Sequence, residues 1–309
     1  MAGTSSDFSS NNNNNIQLKI VSFNMNGYNQ GRVAVDELIE TCRPDVILLQ
    51  LTPANLHKLD VFNQYFTFGC SAMSHLVESG VLFGRPYGGA AVLVSDALRQ
   101  FTRTIHCAER YAIIMIDNLL LVSVYFPCVG TSNRFNLCLD LVADIGSWLD
   151  QYPSCEYVIA GDFNVNLNAG DAVADQINAF CDNYSLTRCD CLFDVRCPTY
   201  RNTALNQCST IDYILTSVPQ FTTDFQVLDP DLNFSDHLPI MCIVDHVLSK
   251  PCPQLSSKSN IMSTVLPLRW DHSDLSSYYQ FTGLHLQPIL EQLDDIILQC
   301  EVGTIVDLS

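Results

Sequence analysis

Five short stretches of this 309-residue chain hold side chains suited to chemistry on a phosphate ester, and each borders an apolar run. Gly161-Asp162-Phe163-Asn164 follows the apolar run Tyr157 to Ala160. A glycine there lets the backbone approach another strand closely. Asp162 and Asn164, two apart on an extended strand, would share one face. A carboxylate so placed can orient or deprotonate a water, while the amide beside it holds that water or a substrate phosphate. Asp and Asn are also common turn formers, which is the plainer reading of the same residues. Ser235-Asp236-His237 precedes Leu238-Pro239 and an apolar run. A carboxylate beside an imidazole can bind a metal ion and stabilise a pentavalent phosphate; a loop with an incidental histidine would look the same. In Ser209-Thr210-Ile211-Asp212-Tyr213-Ile214 the carboxylate of Asp212 sits inside an apolar stretch. A buried carboxylate needs a partner. His237 is the candidate, because an Asp–His pair fixes the imidazole tautomer and supports its charge; otherwise Asp212 faces water from an edge strand. Ser22-Phe23-Asn24-Met25-Asn26-Gly27 and Val124-Tyr125-Phe126-Pro127 are weaker signals of the same kind. Tyr125 offers a donor to a phosphate oxygen, or is simple packing.

The elements that must carry these residues follow from hydropathy patterning. Residues 18–24, 45–50, 64–70, 80–84, 89–94, 100–106, 111–116, 119–125, 157–160, 211–216 and 240–244 read as strands, with Gly88-Gly89 and Asp117-Asn118 as turns. Residues 31–42, 131–150 and 172–184 read as helices, the longest with Phe135, Leu139, Val142, Ile145 and Leu149 on one face. Strict strand–helix alternation is missing, so a doubly wound parallel sheet fits poorly. Two mixed sheets packed face to face with helices outside fit better. The Ser/Asn-rich residues 1–15 read as a disordered leader, 16–245 as the main domain, 246–269 as a linker and 270–309 as a helical tail.

Bulk properties narrow the function classes. A hydrophobic share of 48% supplies a substantial core, and no run of about 18 apolar residues suggests a membrane span. The N-terminus lacks a secretory pattern, so the fourteen cysteines are expected to be reduced thiols of an intracellular protein. Cys189, Cys191 and Cys197 cluster, yet no C-x-x-C or His-x-x-x-His spacing accompanies them, which disfavours zinc. A net charge of −18, from 15 basic and 33 acidic residues, is a poor general footprint for nucleic acid and leaves room only for a local basic groove.

In combination and in order, the five motifs resemble the endonuclease/exonuclease/phosphatase superfamily. Gly84-Arg85-Pro86-Tyr87-Gly88-Gly89-Ala90, and Pro198-Thr199-Tyr200 ahead of Ser209-Thr210-Ile211-Asp212-Tyr213, are similar above all to the endonuclease domain of LINE-type (non-LTR) retrotransposons. Arg269-Trp270-Asp271 to Tyr278-Tyr279 looks like the segment joining such a domain to its reverse transcriptase, a module this chain lacks. The resemblance covers about residues 16–245 and implies an α/β fold, a four-layered sandwich of two mixed β-sheets flanked by helices, as in deoxyribonuclease I. It implies DNA as partner and Mg²⁺ as cofactor, with Mn²⁺ as a substitute. It assigns Asp162 to the attacking water with Asn164 assisting, and Asp212 to orienting His237, which stabilises developing charge. Tyr125 would contact the scissile phosphate, Asn24 and Asp236 would serve the metal, and Asn26 and Ser209 would position substrate.

One expected residue is missing. The family carries a metal-binding glutamate at the end of its second strand, and here Leu48-Leu49-Gln50-Leu51-Thr52 puts Leu51 at that position. Gln50 cannot substitute, because neighbouring strand residues point to opposite faces. Glu40 and Glu78 belong to other elements. The expectation is therefore a DNA-nicking endonuclease with impaired Mg²⁺ binding. Its rivals are a catalytically inactive copy acting as a binding module, and a phosphatase or sphingomyelinase of the same superfamily.

Overall fold

The computed structural model describes residues 14–51, 59–70 and 88–249. The expected strand at 80–84, Gly84 to Tyr87, Glu78, most of the leader and linker, and the helical tail lie outside the described residues.

Two β-α-β units organise the chain. In the first, β1 (Asn14–Asn24) leads through helix α1 (Tyr28–Thr41) to β2 (Val46–Gln50), which pairs parallel to β1. In the second, β7 (Leu119–Tyr125) leads through α2 (Arg134–Gln151) to β8 (Glu156–Asp162), again parallel. Parallel neighbours require such a crossover. The remaining strands add on antiparallel. They are β3 (Tyr65–Cys70), β4 (Ala90–Ser95), β5 (Thr102–Ala108), β6 (Tyr111–Ile116), β9 (Thr187–Arg188), β12 (Asp212–Thr216), β13 (Thr222–Val227) and β14 (Ile240–Leu248). One six-stranded sheet runs β13-β14-β1-β2-β4-β3 and the other β5-β6-β7-β8-β12-β9. A separate ribbon joins β10 (Tyr200–Asn202) to β11 (Gln207–Ser209). Helices α3 (Ala172–Asn183) and α4 (Cys189–Leu192) complete the described elements, with a 3-10 turn over Asp96–Phe101.

The two sheets face each other across an apolar inner layer that includes Leu18, Ile20, Val46, Leu48, Leu119, Leu121, Val158, Ala160, Ile214, Ile240 and Cys242. Outer layers cover the backs of the sheets. Helix α1 packs Ala34, Val35 and Leu38 with Val21, Phe23, Ile47 and Leu49. Helices α2 and α3 pack Leu141, Ile145 and Ile177 with Ile113, Val122 and Ile159. These are the four expected layers. The alternation along each strand accounts for them, since odd and even residues face opposite sides.

Several expectations shift. Strand β1 starts at Asn14, two residues inside the expected leader, with Asn14 and Asn15 opposite Leu248 and Val247. Strand β13 (TTDFQV) carries little apolar periodicity, and the ribbon and the two-residue β9 are short, so none of them stands out in the sequence pattern. Cys42, Cys107, Cys128, Cys138, Cys155, Cys181, Cys189, Cys191, Cys197, Cys208 and Cys242 are free thiols.

Candidate active site

The inner-layer parity explains where the polar residues meet. On β1 the inward series Leu18, Ile20, Ser22 ends on Asn24; on β7 the series Leu119, Leu121, Ser123 ends on Tyr125; on β8 Val158 and Ala160 lead to Asp162. Strand β12 runs the other way, so Asp212 at its start pairs with Asp162 at the end of β8. The inner layer thus turns from apolar to polar at one end of the sandwich, where the parallel pairs β1/β2 and β7/β8 both finish. There it opens into a cleft of about 820 Å³ whose lining includes Asn24, Asn26, Leu51, Tyr125, Asp162, Asn164, Ser209, Asp236 and His237.

Asp162 is 1% exposed and held by three hydrogen bonds. Its carboxylate accepts from the Asn24 Nδ2 at 2.9 Å, from the Asn164 backbone N–H at 2.8 Å and from the Asn164 Nδ2 at 2.8 Å. The expected strand pairing of Asp162 with Asn164 is corrected: β8 stops at Asp162, and Asn164 stands in a turn at φ 52°. The side chains meet because an aspartate readily bonds the N–H two residues on, the habit that makes it a turn former. Arg134 fixes this turn by donating to the Asn164 carbonyl at 2.8 Å and the Pro127 carbonyl at 3.1 Å. Gly161 has a packing role, since a Cβ there would stand 1.9 Å from the Val124 carbonyl oxygen.

Asp212, 3% exposed, does not face water. Its carboxylate lies 2.9 and 3.0 Å from His237 Nδ1. The other ring nitrogen, Nε2, lies 3.8 Å from Asp162 and 3.9 Å from Asp236. Burial pulls the His237 pKa down, and the carboxylates of Asp212, Asp162 and Asp236 outweigh it, leaving it raised to about 9. Burial dominates at Asp162; the imidazolium of His237 opposes it and Asp212 reinforces it, so that carboxyl is pushed up to about 7. Tyr125 is raised to about 12 by burial and by the Asp162 charge, which keeps its phenol a donor.

The supporting shell was largely invisible in the sequence. Buried Thr199 accepts at Oγ1 from the N–H groups of Ile211 (3.1 Å) and Asp212 (3.0 Å), fixing the start of β12. In the sequence Thr199 stands out only through the family likeness of Pro198-Thr199-Tyr200. Ser235 donates to the Asn24 carbonyl at 2.7 Å and accepts from the His237 N–H at 3.2 Å; Asn233 caps the His237 carbonyl at 2.7 Å. Tyr200 lies edge-on to the His237 ring at 5.1 Å. Asn26 and Ser209 reach the cleft wall rather than the Asp162–His237 cluster: Asn26 donates its N–H to Asn24 Oδ1 at 3.0 Å, and the Ser209 carbonyl accepts from Thr199 at 3.0 Å.

Donors for a metal are unevenly distributed. Asp162, Asp212 and His237 each offer an atom, all within 4.8 Å of one another and all buried. Asp236 is the accessible carboxylate, with its side chain 41% exposed. Leu51 is 1% exposed, packs with the apolar layer of Met25 and Leu49, and also lines the cleft. Gln50, level with Asn24, turns between the sheets and donates to Ser123 Oγ at 3.1 Å. Glu40 lies on α1 near Arg43 and Tyr65, away from the cleft lining.

Residues 21–237 match the model of the Endonuclease/Exonuclease/phosphatase family. The chain belongs to that family. No curated protein matches it. Among solved structures it is similar to the AP endonuclease LMAP from Leishmania major (TM-score 0.60, 15% identity, covering 74% of this chain and 88% of that one). It is also similar to the endonuclease domain of TRAS1, a telomere-specific non-LTR retrotransposon (TM-score 0.55, 17% identity, 76% and 100%). The 3'-5' exonuclease NExo from Neisseria meningitidis matches likewise (TM-score 0.55, 18% identity, 74% and 100%). At these identities the likeness establishes the fold of this family member: two mixed sheets flanked by helices.

Proposed function

We propose that this family member is a phosphodiesterase of the retrotransposon-endonuclease type that nicks DNA, with a weakened metal site. The observation that carries the reading is one cleft in which a buried Asp212–His237 pair meets Asp162, itself held by Asn24 and Asn164. In the hydrolytic step the water oxygen forms the new bond to phosphorus, Asp162 takes the water proton, and the P–O bond to the leaving oxygen breaks with its electron pair staying on that oxygen, which takes up a proton from solvent. A base titrating near neutrality suits that task, and Asp162 is raised to about 7. His237, charged at neutral pH and locked by Asp212, stabilises the negative charge that builds on the phosphoryl oxygens. Tyr125 donates to the same group.

The accessible residues fit a divalent ion only thinly. Asp236 and the Asn24 amide oxygen would hold it, and Mg²⁺ is often bound through one or two carboxylates plus substrate phosphate. When bound it supplies Lewis-acid charge at the phosphate. Leu51 removes one carboxylate from the cleft wall. Mg²⁺ binding is therefore weak, with Mn²⁺ or high Mg²⁺ restoring part of the activity. Intracellular residence belongs to the same proposal and rests on the free thiols. Among the described residues no helix is long and apolar enough to cross a membrane.

A plasmid-nicking assay tests the reading. The natural chain should nick slowly at ordinary Mg²⁺, and Leu51→Glu should raise the rate by at least about tenfold, the gain of one 1.4 kcal/mol contact. Equal, strong nicking by both chains would refute the weakened metal site. Turnover of inositol phosphates or sphingomyelin without nicking would replace the nuclease reading with the phosphatase one. The second reading, a silent binding module, is favoured by the same Leu51 and predicts no heat of Mg²⁺ or Mn²⁺ binding in titration calorimetry.

A further inference from the structure

Tyr125 and Asp162 stand at the ends of two neighbouring parallel strands, β7 and β8. Their spacing must be held where the sheet ladder stops, and other bonds take over there. The Phe126 N–H donates to the Asp162 carbonyl at 2.8 Å, and the Asn164 Nδ2 donates to the Phe126 carbonyl at 3.0 Å. The Phe126 and Phe163 rings stack at 5.0 Å. One guanidinium closes this junction. Arg134 Nε donates to the Pro127 carbonyl on the β7 exit, and Nη2 donates to the Asn164 carbonyl on the β8 exit. Its Nη1 lies 3.6 Å from the carboxylate of Asp171, which caps α3 by accepting from the Val173 N–H at 2.7 Å.

Helix α2 does not account for this arginine. Arg134 is its first residue, where the helix dipole disfavours a positive charge. No acidic residue stands in that first turn, and Asn133 gives the helix no side-chain cap. What Arg134 holds accounts for it better. Its side chain is 15% exposed and does not line the cleft. It reaches the site through backbone carbonyls, while Cys128, Val129 and Thr131, from the loop it closes, form part of the cleft wall. A planar guanidinium fixes two acceptors relative to each other, which the single ammonium of a lysine does not.

We propose that Arg134 is a positioning residue of this cleft: its guanidinium sets the spacing between the Tyr125 phenol and the Asp162–Asn164 pair. The effect on turnover rests on the phosphodiesterase reading; the effect on the strand exits does not.

The test compares the full natural chain with Arg134→Gln and Arg134→Lys. Amide hydrogen exchange, read by NMR, should quicken at Phe126 and Asn164 at least about tenfold in Arg134→Gln, the loss of a charge-assisted bond. It should stay unchanged at Met25, whose N–H donates to the Gln50 carbonyl in the other sheet. In plasmid nicking with Mn²⁺, Arg134→Gln should lower kcat about tenfold to a hundredfold with KM held. Arg134→Lys should recover part of that rate, since it restores one donor. Equal exchange in all three chains would overturn the proposal. So would exchange that quickens everywhere in step with a lower melting temperature, which is the mark of a stability residue, or faster exchange at the exits with kcat unchanged. No nicking by the natural chain would overturn the phosphodiesterase reading, and the exchange pattern alone would then decide whether Arg134 holds the exits.

Discussion

Two buried histidines at opposite ends of the same inner layer have opposite acidities. His237 at the cleft end is raised to about 9, whereas His246, inward on β14 at the far end, is lowered below its ordinary 6.5. Burial disfavours the charged form of both and is the largest influence on each. The difference lies in the carboxylates. Asp212 reaches the His237 ring at 2.9 Å and is itself buried, with Asp162 at 3.8 Å and Asp236 at 3.9 Å. His246 has Glu156 at 3.6 Å, a side chain 30% exposed, with a smaller contribution from Asp117. Solvent screens an exposed partner and not a buried one. The far end also opens a cavity, of about 760 Å³, lined by Asp117, Glu156, Asp245 and His246. Cavity size therefore does not mark the chemistry. The number of buried carboxylates converging on one imidazole does.

This contrast can be broken by experiment. The largest effect is on turnover. In the Leu51→Glu chain, His237→Ala should lower nicking by about 10²–10⁴, while His246→Gln should leave it unchanged. Equal losses would erase the distinction between the ends. Next, NMR titration of metal-free protein should find His237 losing its proton near pH 9 and His246 well below it. Asp212→Asn removes the negative charge that favours the imidazolium, so the His237 midpoint should fall; an unmoved midpoint would show that Asp212 does not hold it.

Smaller effects concern the supports. Thr199→Val leaves the Ile211 and Asp212 N–H groups without an acceptor and should cost about 1–3 kcal/mol in denaturant unfolding. Its far-end counterpart is Ser249, whose hydroxyl bonds Asp117 at an exposed site; Ser249→Ala should change stability by less than about 0.5 kcal/mol. The smallest is Glu156→Gln. It removes the charge that partly opposes burial, so the His246 midpoint should fall further; a rise would contradict the assigned cause.

Much of this was legible in the chain itself. Most strands and the three longer helices were readable because each buries a full apolar face, and burial writes a period into the sequence. The inward polar residues Asn24, Tyr125, Asp162 and Asp212 were visible as interruptions at the ends of those runs. The ribbon β10–β11 and strand β9 were not, being two or three residues long. Asn164 was placed on the wrong element, since a strand end and a turn can both set two side chains together.

Amino-acid identity alone determined the roster of groups able to act on a phosphate and that Leu51 brings no metal-coordinating atom to the cleft wall, because no fold can make a leucine coordinate a metal ion. Tertiary structure decided the rest. Asp162 and His237 are far apart in sequence, and only the facing of two sheets at one end brings them within 3.8 Å. Their acidities follow from that meeting, since burial and neighbouring charge are properties of a place in the fold and not of a residue type.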